Sequence, residues 1–191
     1  MPRKIRLIHI ITGLEAGGAE VMLYKLIKGM NKDLFYCEVI SLTGFGLIGS
    51  KLRGLGCKVT ALGMRRGVPS LLIMLKLFFL VRNSKPDLVQ TWMYHSDLIG
   101  GVIARLCGVE NVCWNIRHCN LDPDKNKFLT LLTAKFCALF SNFIPSRIIC
   151  NSHAGKQTHC NFGYVPEKLH VIPNGFDVHE FFPNSKIRKQ V

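Results

Sequence analysis

Residues 5–30 read IRLIHIITGLEAGGAEVMLYKLIKGM, and the change of hydrophobic period within this stretch decides the fold. Ile5–Ile11 is a continuous apolar-rich run with β-branched residues, the pattern of a strand buried on both faces. Gly13, Gly17 and Gly18 break it. Over 19–30 the apolar residues Val21, Met22, Tyr24, Leu26, Ile27 and Met30 recur at helical spacing, and Gly29 weakens only the end. A buried strand that turns through glycines into an amphipathic helix is the opening unit of an α/β sheet.

The same grammar continues outward. Strands are expected at 36–42, 58–62, 88–92, 111–117, 147–150 and 169–172, with helices at about 48–55, 70–82, 96–106, 127–140 and 152–162. Gly, Pro, Asn or Asp stands in each turn between them. Parallel strands need crossover helices, so the alternation predicts α/β architecture: a Rossmann-like doubly wound parallel sheet, covered on both faces, with ligands outside the carboxyl ends of its strands. After residue 172 the pattern lapses into Pro173, Gly175, Pro183 and a basic run at 187–191, the composition of a linker.

The chain has 191 residues, enough for one α/β domain and short for two. Hydrophobic residues make up 48% and charged residues 19%, which excludes disorder as the overall state. The net charge of +13 implies partners carrying phosphate or carboxylate. The first residues have a basic flank, but His9 and Thr12 puncture the apolar run and no small-residue cleavage site follows. A cytoplasmic protein with eight reduced thiols is therefore expected. No C-x-x-C occurs, so zinc is not expected. The apolar segment 68–81 contains Lys76 and is too short to span a bilayer.

Nucleotide motifs are absent. The glycines after the first strand do not match G-x-G-x-x-G, and the second strand ends near Ser41 and Leu42 with no carboxylate to hold a ribose. The string AGKQT at 154–158 lacks the opening glycine of a phosphate loop. Gly17 and Gly18 remain candidates for close backbone approach to a phosphate or sugar, or equally for a tight strand-to-helix turn. His95, Arg117 and His118 fall just past two strand ends, on the ligand-binding rim. There a guanidinium and imidazoles can hold phosphate or polarise a hydroxyl, although any single histidine can be a satisfied structural one.

Two strings at opposite ends add a resemblance. With GLEAGGAE at 13–20 and HVIPNGFDVHEFFP at 170–183, the chain resembles the N-terminal, acceptor-binding half of a GT-B-fold glycosyltransferase of family four, a large retaining family. In that family GGAE follows the first strand, and a vipNG-D---F-P string marks the passage from acceptor domain to donor domain. The resemblance implies an acceptor domain over 1–172, then an inter-domain linker over 173–191 leading to a nucleotide-sugar-binding domain that is absent here. It also implies that Gly17 and Gly18 face the donor diphosphate and acceptor, and that His118 is the histidine at the end of the family's fourth long strand. Ser152 begins the helix after IICNS, and Asn174 with Gly175 makes the inter-domain turn. Gln90 and Trp92 stand where the family often has histidines, which makes His95 the substitute candidate for the residue touching the transferred sugar.

The resemblance further implies metal-independent, retaining transfer without a cofactor. The co-substrate is a nucleotide-sugar and the acceptor a saccharide or lipid-linked molecule, in the making of a cell-surface polysaccharide or glycolipid. The E-x7-E donor motif belongs to the second domain, so this chain alone is expected to have no transferase activity. The alternative is a free-standing, non-catalytic binding domain for a phosphorylated or glycan ligand.

The charge is unevenly distributed. No Asp or Glu occurs between Glu38 and Asp87 or between Asp124 and Glu167, and both stretches contain Leu- and Phe-rich helices. Basic residues beside apolar ones suit an anionic membrane surface on the inner face, whereas helices covering a sheet with their charges in water would read the same way. No helix-turn-helix, zinc-finger or RNP-type string appears, and a nucleic-acid partner is not expected.

Overall fold

The computed structural model describes residues 3–65 and 70–176. Its strands are β1 (Ile5–Ile11), β2 (Phe35–Ser41), β3 (Lys58–Ala61), β4 (Leu88–Trp92), β5 (Val112–Ile116), β6 (Arg147–Cys150) and β7 (Leu169–Val171). Its helices are α1 (Gly18–Gly29), α2 (Gly46–Gly54), α3 (Leu71–Ser84), α4 (Tyr94–Leu106), α5 (Phe128–Phe140) and α6 (His153–Phe162), with a 3-10 turn at Pro166–Lys168. All strand pairs are parallel, in the order β3-β2-β1-β4-β5-β6-β7. This is a Rossmann-like doubly wound sheet.

The order explains which face each helix takes. Right-handed crossovers that step outward from β1 to β3 place α1 and α2 on one face; stepping the opposite way from β3 to β7 places α3 to α6 on the other. Two cores result. Leu14, Leu23, Ile27, Ile48 and Leu52 pack on Ile11, Val39 and Trp92 on the α1 face, and a larger cluster around Leu77, Val81, Trp114, Ala134 and Tyr164 fills the opposite face. The expectation of helices over both faces therefore holds only in part. On the α1 face no described helix lies over β5 to β7, because every crossover after β3 runs behind the sheet.

Helix starts differ from the sequence reading in an informative way. Ser70 and Ser152 are not helical; each is an N-cap whose hydroxyl accepts a backbone N–H, from Ile73 and Gly155 respectively. Helix α4 begins at Tyr94, two residues before the expected start, because Met93 takes φ +71° and ψ 154° and makes the strand-to-helix turn within one residue. His95 therefore lies in the first turn of a helix. Further along, a Cβ on Gly100 would come within 3.1 Å of Ile10 and Thr91, so a glycine there is what seats α4 close to the sheet.

All eight cysteines are free thiols. Among the described residues no helix is long and apolar enough to cross a membrane. The 177–183 end of the second family-like string, the basic run at 187–191 and the last part of the expected linker lie outside the described residues.

Candidate functional site

The strand order reverses between β1 and β4, which opens a crevice at their carboxyl ends. A cleft of about 400 Å³ lies there, walled by the ends of β1, β4, β5 and β6 and the first turns of α1, α4 and α5. Of the sequence-predicted residues it brings together Gly18, His95, Arg117, His118 and Asn174. Gly17, Ser152 and Gly175 do not line it.

The glycine pair splits into two roles. Gly17 is the N-cap of α1 in extended conformation, and a Cβ on it would meet the Glu20 carboxylate at 2.4 Å. A Cβ on Gly18 meets nothing within 4 Å, so its backbone borders open cleft. The α1 N-terminus attracts negative charge, yet Glu20 already places a carboxylate there, and burial raises that carboxyl's pKa. An incoming phosphate would meet Glu20 first.

His95 is half-buried in the first turn of α4, and burial lowers its pKa, which keeps the imidazole neutral and able to accept a hydrogen bond at neutral pH. His118 is exposed just past β5, edge-on to the Tyr94 ring. Its orientation follows from its neighbour. Asn126 donates Nδ2 to the carbonyls of Asn120 and Asp122 at 3.0 and 2.9 Å, so its Oδ1 accepts from His118 Nε2 at 2.9 Å. That leaves His118 Nδ1 free to accept from a ligand when the ring is neutral.

Beneath these, Tyr94 donates its hydroxyl to His159 Nε2 at 2.7 Å, and His159 Nδ1 donates to the Gly155 carbonyl at 2.7 Å. Burial holds the His159 pKa down and the Tyr94 pKa up, so both stay neutral. Ser152 acts on this network from outside the cleft: its Oγ caps α6 at the Gly155 N–H, which sets where the Gly155 carbonyl lies.

Arg117 stands between this cleft and a larger one of about 800 Å³ on the sheet face that no described helix covers, where Gln90, Asn115 and Ile149 lie opposite α1. Its guanidinium sits 4.7 Å from the Trp92 ring and donates Nη1 to Asn174 Oδ1, while Nε is buried without a partner. Arg117 thus ties the segment after β7 back to the end of β5. Trp92 is fully buried, with its indole N–H on His9 Nδ1 at 3.3 Å. Gln90 and Trp92 both face the α1 side of the sheet, whereas His95 stands on the α4 side. His95 reaches the cleft from a different wall.

The sequence reading missed Thr12, Met93, Tyr94, Thr130 and Asn151, which also line the cleft. Thr12 Oγ1 meets Ser96 Oγ at 3.1 Å and links the β1 end to α4. Met93 carries the strained turn, and a methionine gives no sequence signal for a positive φ. Asn151 precedes the N-cap serine, a position that rim geometry alone would have flagged. Among the described residues no group of three or more His, Cys, Asp or Glu is arranged to hold a metal ion.

Known proteins are similar to this chain in sequence and fold. An Escherichia coli UDP-Gal:alpha-D-GlcNAc-diphosphoundecaprenol alpha-1,3-galactosyltransferase is 31% identical over 111 residues, 58% of this chain and 28% of that protein. EpsF of Bacillus subtilis (strain 168) is 25% identical over 192 residues, 95% of this chain and 48% of its own. This chain thus spans about half or less of the curated relatives it matches. The crystal structure of Anabaena HepE in complex with UDP and glucose is similar with a TM-score of 0.76 at 19% identity, over 97% of this chain and 50% of that one, which speaks to the fold. The model of Glycosyltransferase Family 4 matches residues 16–180, and on that match, with the sheet it accompanies, the chain belongs to Glycosyltransferase Family 4 and has the fold of an N-terminal GT-B domain.

Proposed function

We propose that this domain is the acceptor-binding half of a glycosyltransferase that moves a sugar from a nucleotide-sugar to a saccharide or lipid-linked acceptor, with retention of configuration, on the cytoplasmic side of the membrane. The observation that carries the reading is the convergence of His95, His118 and Arg117 on one cleft at the switch point of the sheet. The neutral His95 imidazole and the His118 Nδ1 left open by Asn126 accept hydrogen bonds from acceptor hydroxyls and hold them towards a donor sugar. The remaining Arg117 N–H groups suit a phosphate, in a bonding plane set by Trp92 and Asn174. The names of relatives support the substrate classes: the E. coli protein's name specifies a UDP-linked donor and a lipid-diphosphate acceptor, and HepE was crystallised with UDP and glucose. Gly17, Ser152 and Gly175 shape the turns around the cleft. The reaction needs no metal or cofactor in this reading, and the donor-binding residues belong to a second domain, so the 191-residue chain is inactive alone.

Histidine-selective NMR of the chain, titrated with a soluble diphosphate-linked saccharide, tests the acceptor role. The His95 and His118 ring resonances shift together, and His95→Ala weakens binding about tenfold, as losing one hydrogen bond to a bound hydroxyl implies. Rings that do not respond, with His95→Ala binding as the parent, overturn the proposal; product formed by the chain alone from nucleotide-sugars overturns its inactivity.

A further inference from the structure

We infer that the outer surface of α3, α4 and α5 docks on an anionic lipid bilayer. Among the described residues, twelve of the twenty exposed large apolar side chains lie on these three helices or the turn after α5, which concentrates exposed hydrophobicity on one side of the molecule. Because α4 packs against both α3 and α5, the three outer faces form one surface. On α3, Leu71 and Leu72 are 71% and 74% exposed and Phe79 is 55% exposed; on α5, Phe128 and Leu139 are 75% and 67% exposed. Scattered leucines need no explanation, but the outward apolar rows of α3 and α5, on either side of α4, do.

Charge selects the occupant. The only acidic side chain within the three helices is Asp97, which is fully buried, while Lys76, Arg82, Lys135 and the N-cap Lys127 are exposed. A surface of cations and Leu or Phe without a single exposed carboxylate matches an anionic bilayer twice over: the cations meet headgroups and the apolar side chains enter the interface. A second copy would bring its own unbalanced cations to the same place, in a chain of net charge +13. Nucleic acid would use the cations and leave the apolar side chains in water.

The placement ties the surface to the cleft. Helices in a parallel α/β layer run against the strands, so the first turns of α3, α4 and α5 point to the carboxyl rim. Thr130, a cleft wall, shares the first turn of α5 with Phe128 and Leu129. A bilayer on these helices lies along the mouth of the cleft, where a lipid-linked acceptor presents its headgroup. That last step rests on the function proposed above; the docking itself does not.

Sedimentation of the 191-residue chain with phosphatidylcholine vesicles, with and without about 30% phosphatidylglycerol and no acceptor lipid, separates the two. The expected result is at least about tenfold stronger partition to the anionic vesicles, lost at about 0.5 M salt. Lys127→Glu with Lys135→Glu, and separately Phe128→Ser with Leu139→Ser, each lower partition about tenfold or more, while Leu47→Ser on the exposed face of α2 leaves it unchanged; circular dichroism checks folding. Equal sedimentation with both vesicle types, or variants that bind as the parent does, overturns the proposal. So does a chain that ignores vesicles but elutes as a dimer split by Phe128→Ser with Leu139→Ser, which would assign the surface to a second copy. Since no acceptor is present, failure here leaves the transferase reading standing, and the NMR titration tests that reading without vesicles.

Discussion

Replacing Gly101 by alanine is expected to destabilise the domain, although alanine is the better helix former. A Cβ at this position falls 2.7 Å from Trp114 Nε1 and 2.7 Å from Ile144 Cγ2, where relaxed contacts need about 3.5–4.0 Å. Trp114 is 0% and Ile144 6% exposed, so neither can swing into solvent. Overpacking costs about 1–3 kcal/mol, and two simultaneous contacts at 2.7 Å to buried side chains put this site in the upper part of that range, about 2–3 kcal/mol, of which helix propensity returns about 1 kcal/mol. The net loss is about 1–2 kcal/mol, or about 2–8 °C in Tm for a chain of this size. Gly29→Ala is the matched control: it also lies within a helix, has nothing within 4 Å of its Cβ, and is expected to gain about 0.4–1 kcal/mol. Thermal unfolding by circular dichroism reads both. If Gly101→Ala melts at or above the parent temperature, the close seating of α4 that places His95 and Tyr94 at the rim is wrong.

Buried Asp97, held by the Thr91 hydroxyl, has its pKa pushed up to about 7 by desolvation, while desolvation takes His9 down to about 3. Between pH 4 and 6.5 the folded state keeps a proton on Asp97 that the unfolded chain has lost, and lacks one on His9 that the unfolded chain holds, so their effects on the pH slope oppose each other. Asp97→Asn removes the first, and stability measured by urea unfolding should then rise between pH 5 and 6.5 by about 2 kcal/mol more than in the parent; parallel profiles would refute the assignment. Ser152→Ala removes the α6 cap and should cost about 1 kcal/mol, with Ser152→Thr restoring most of it; an unchanged Tm would show that the cap carries no weight. Exposed Cys119 should react first with a thiol reagent, whereas Cys57, pushed up to about 12, and the fully buried Cys137 should stay protected until unfolding; simultaneous labelling of all eight would contradict the packing.

Much of the site was legible because rim positions follow from strand ends. Once a strand is read to Trp92 and another to Arg117, residues just beyond them must lie at the carboxyl edge of a parallel sheet, and His95, Arg117 and His118 do line one cleft. Ser152 was legible as the start of a helix but not as a cap in place of a wall, since both uses need the same residue at the same position. Tyr94 and Met93 were invisible: one looks like any aromatic at a helix start, and the other carries a positive φ on a residue type that does not favour it.

By itself the sequence determined the alternation of strand and helix, the parallel sense of the sheet, the rim and the family, because period, turn residues and short strings are local properties of the chain. Only the tertiary structure decided which face each crossover takes, that no described helix covers β5 to β7 on the α1 face, that Arg117 spans two clefts, and that the acid-free helices α3 and α5, far apart in sequence, flank α4 on one side of the sheet. These depend on strand order and on which side chains meet across the sheet. Such long-range contacts are set by packing, and no local pattern encodes them.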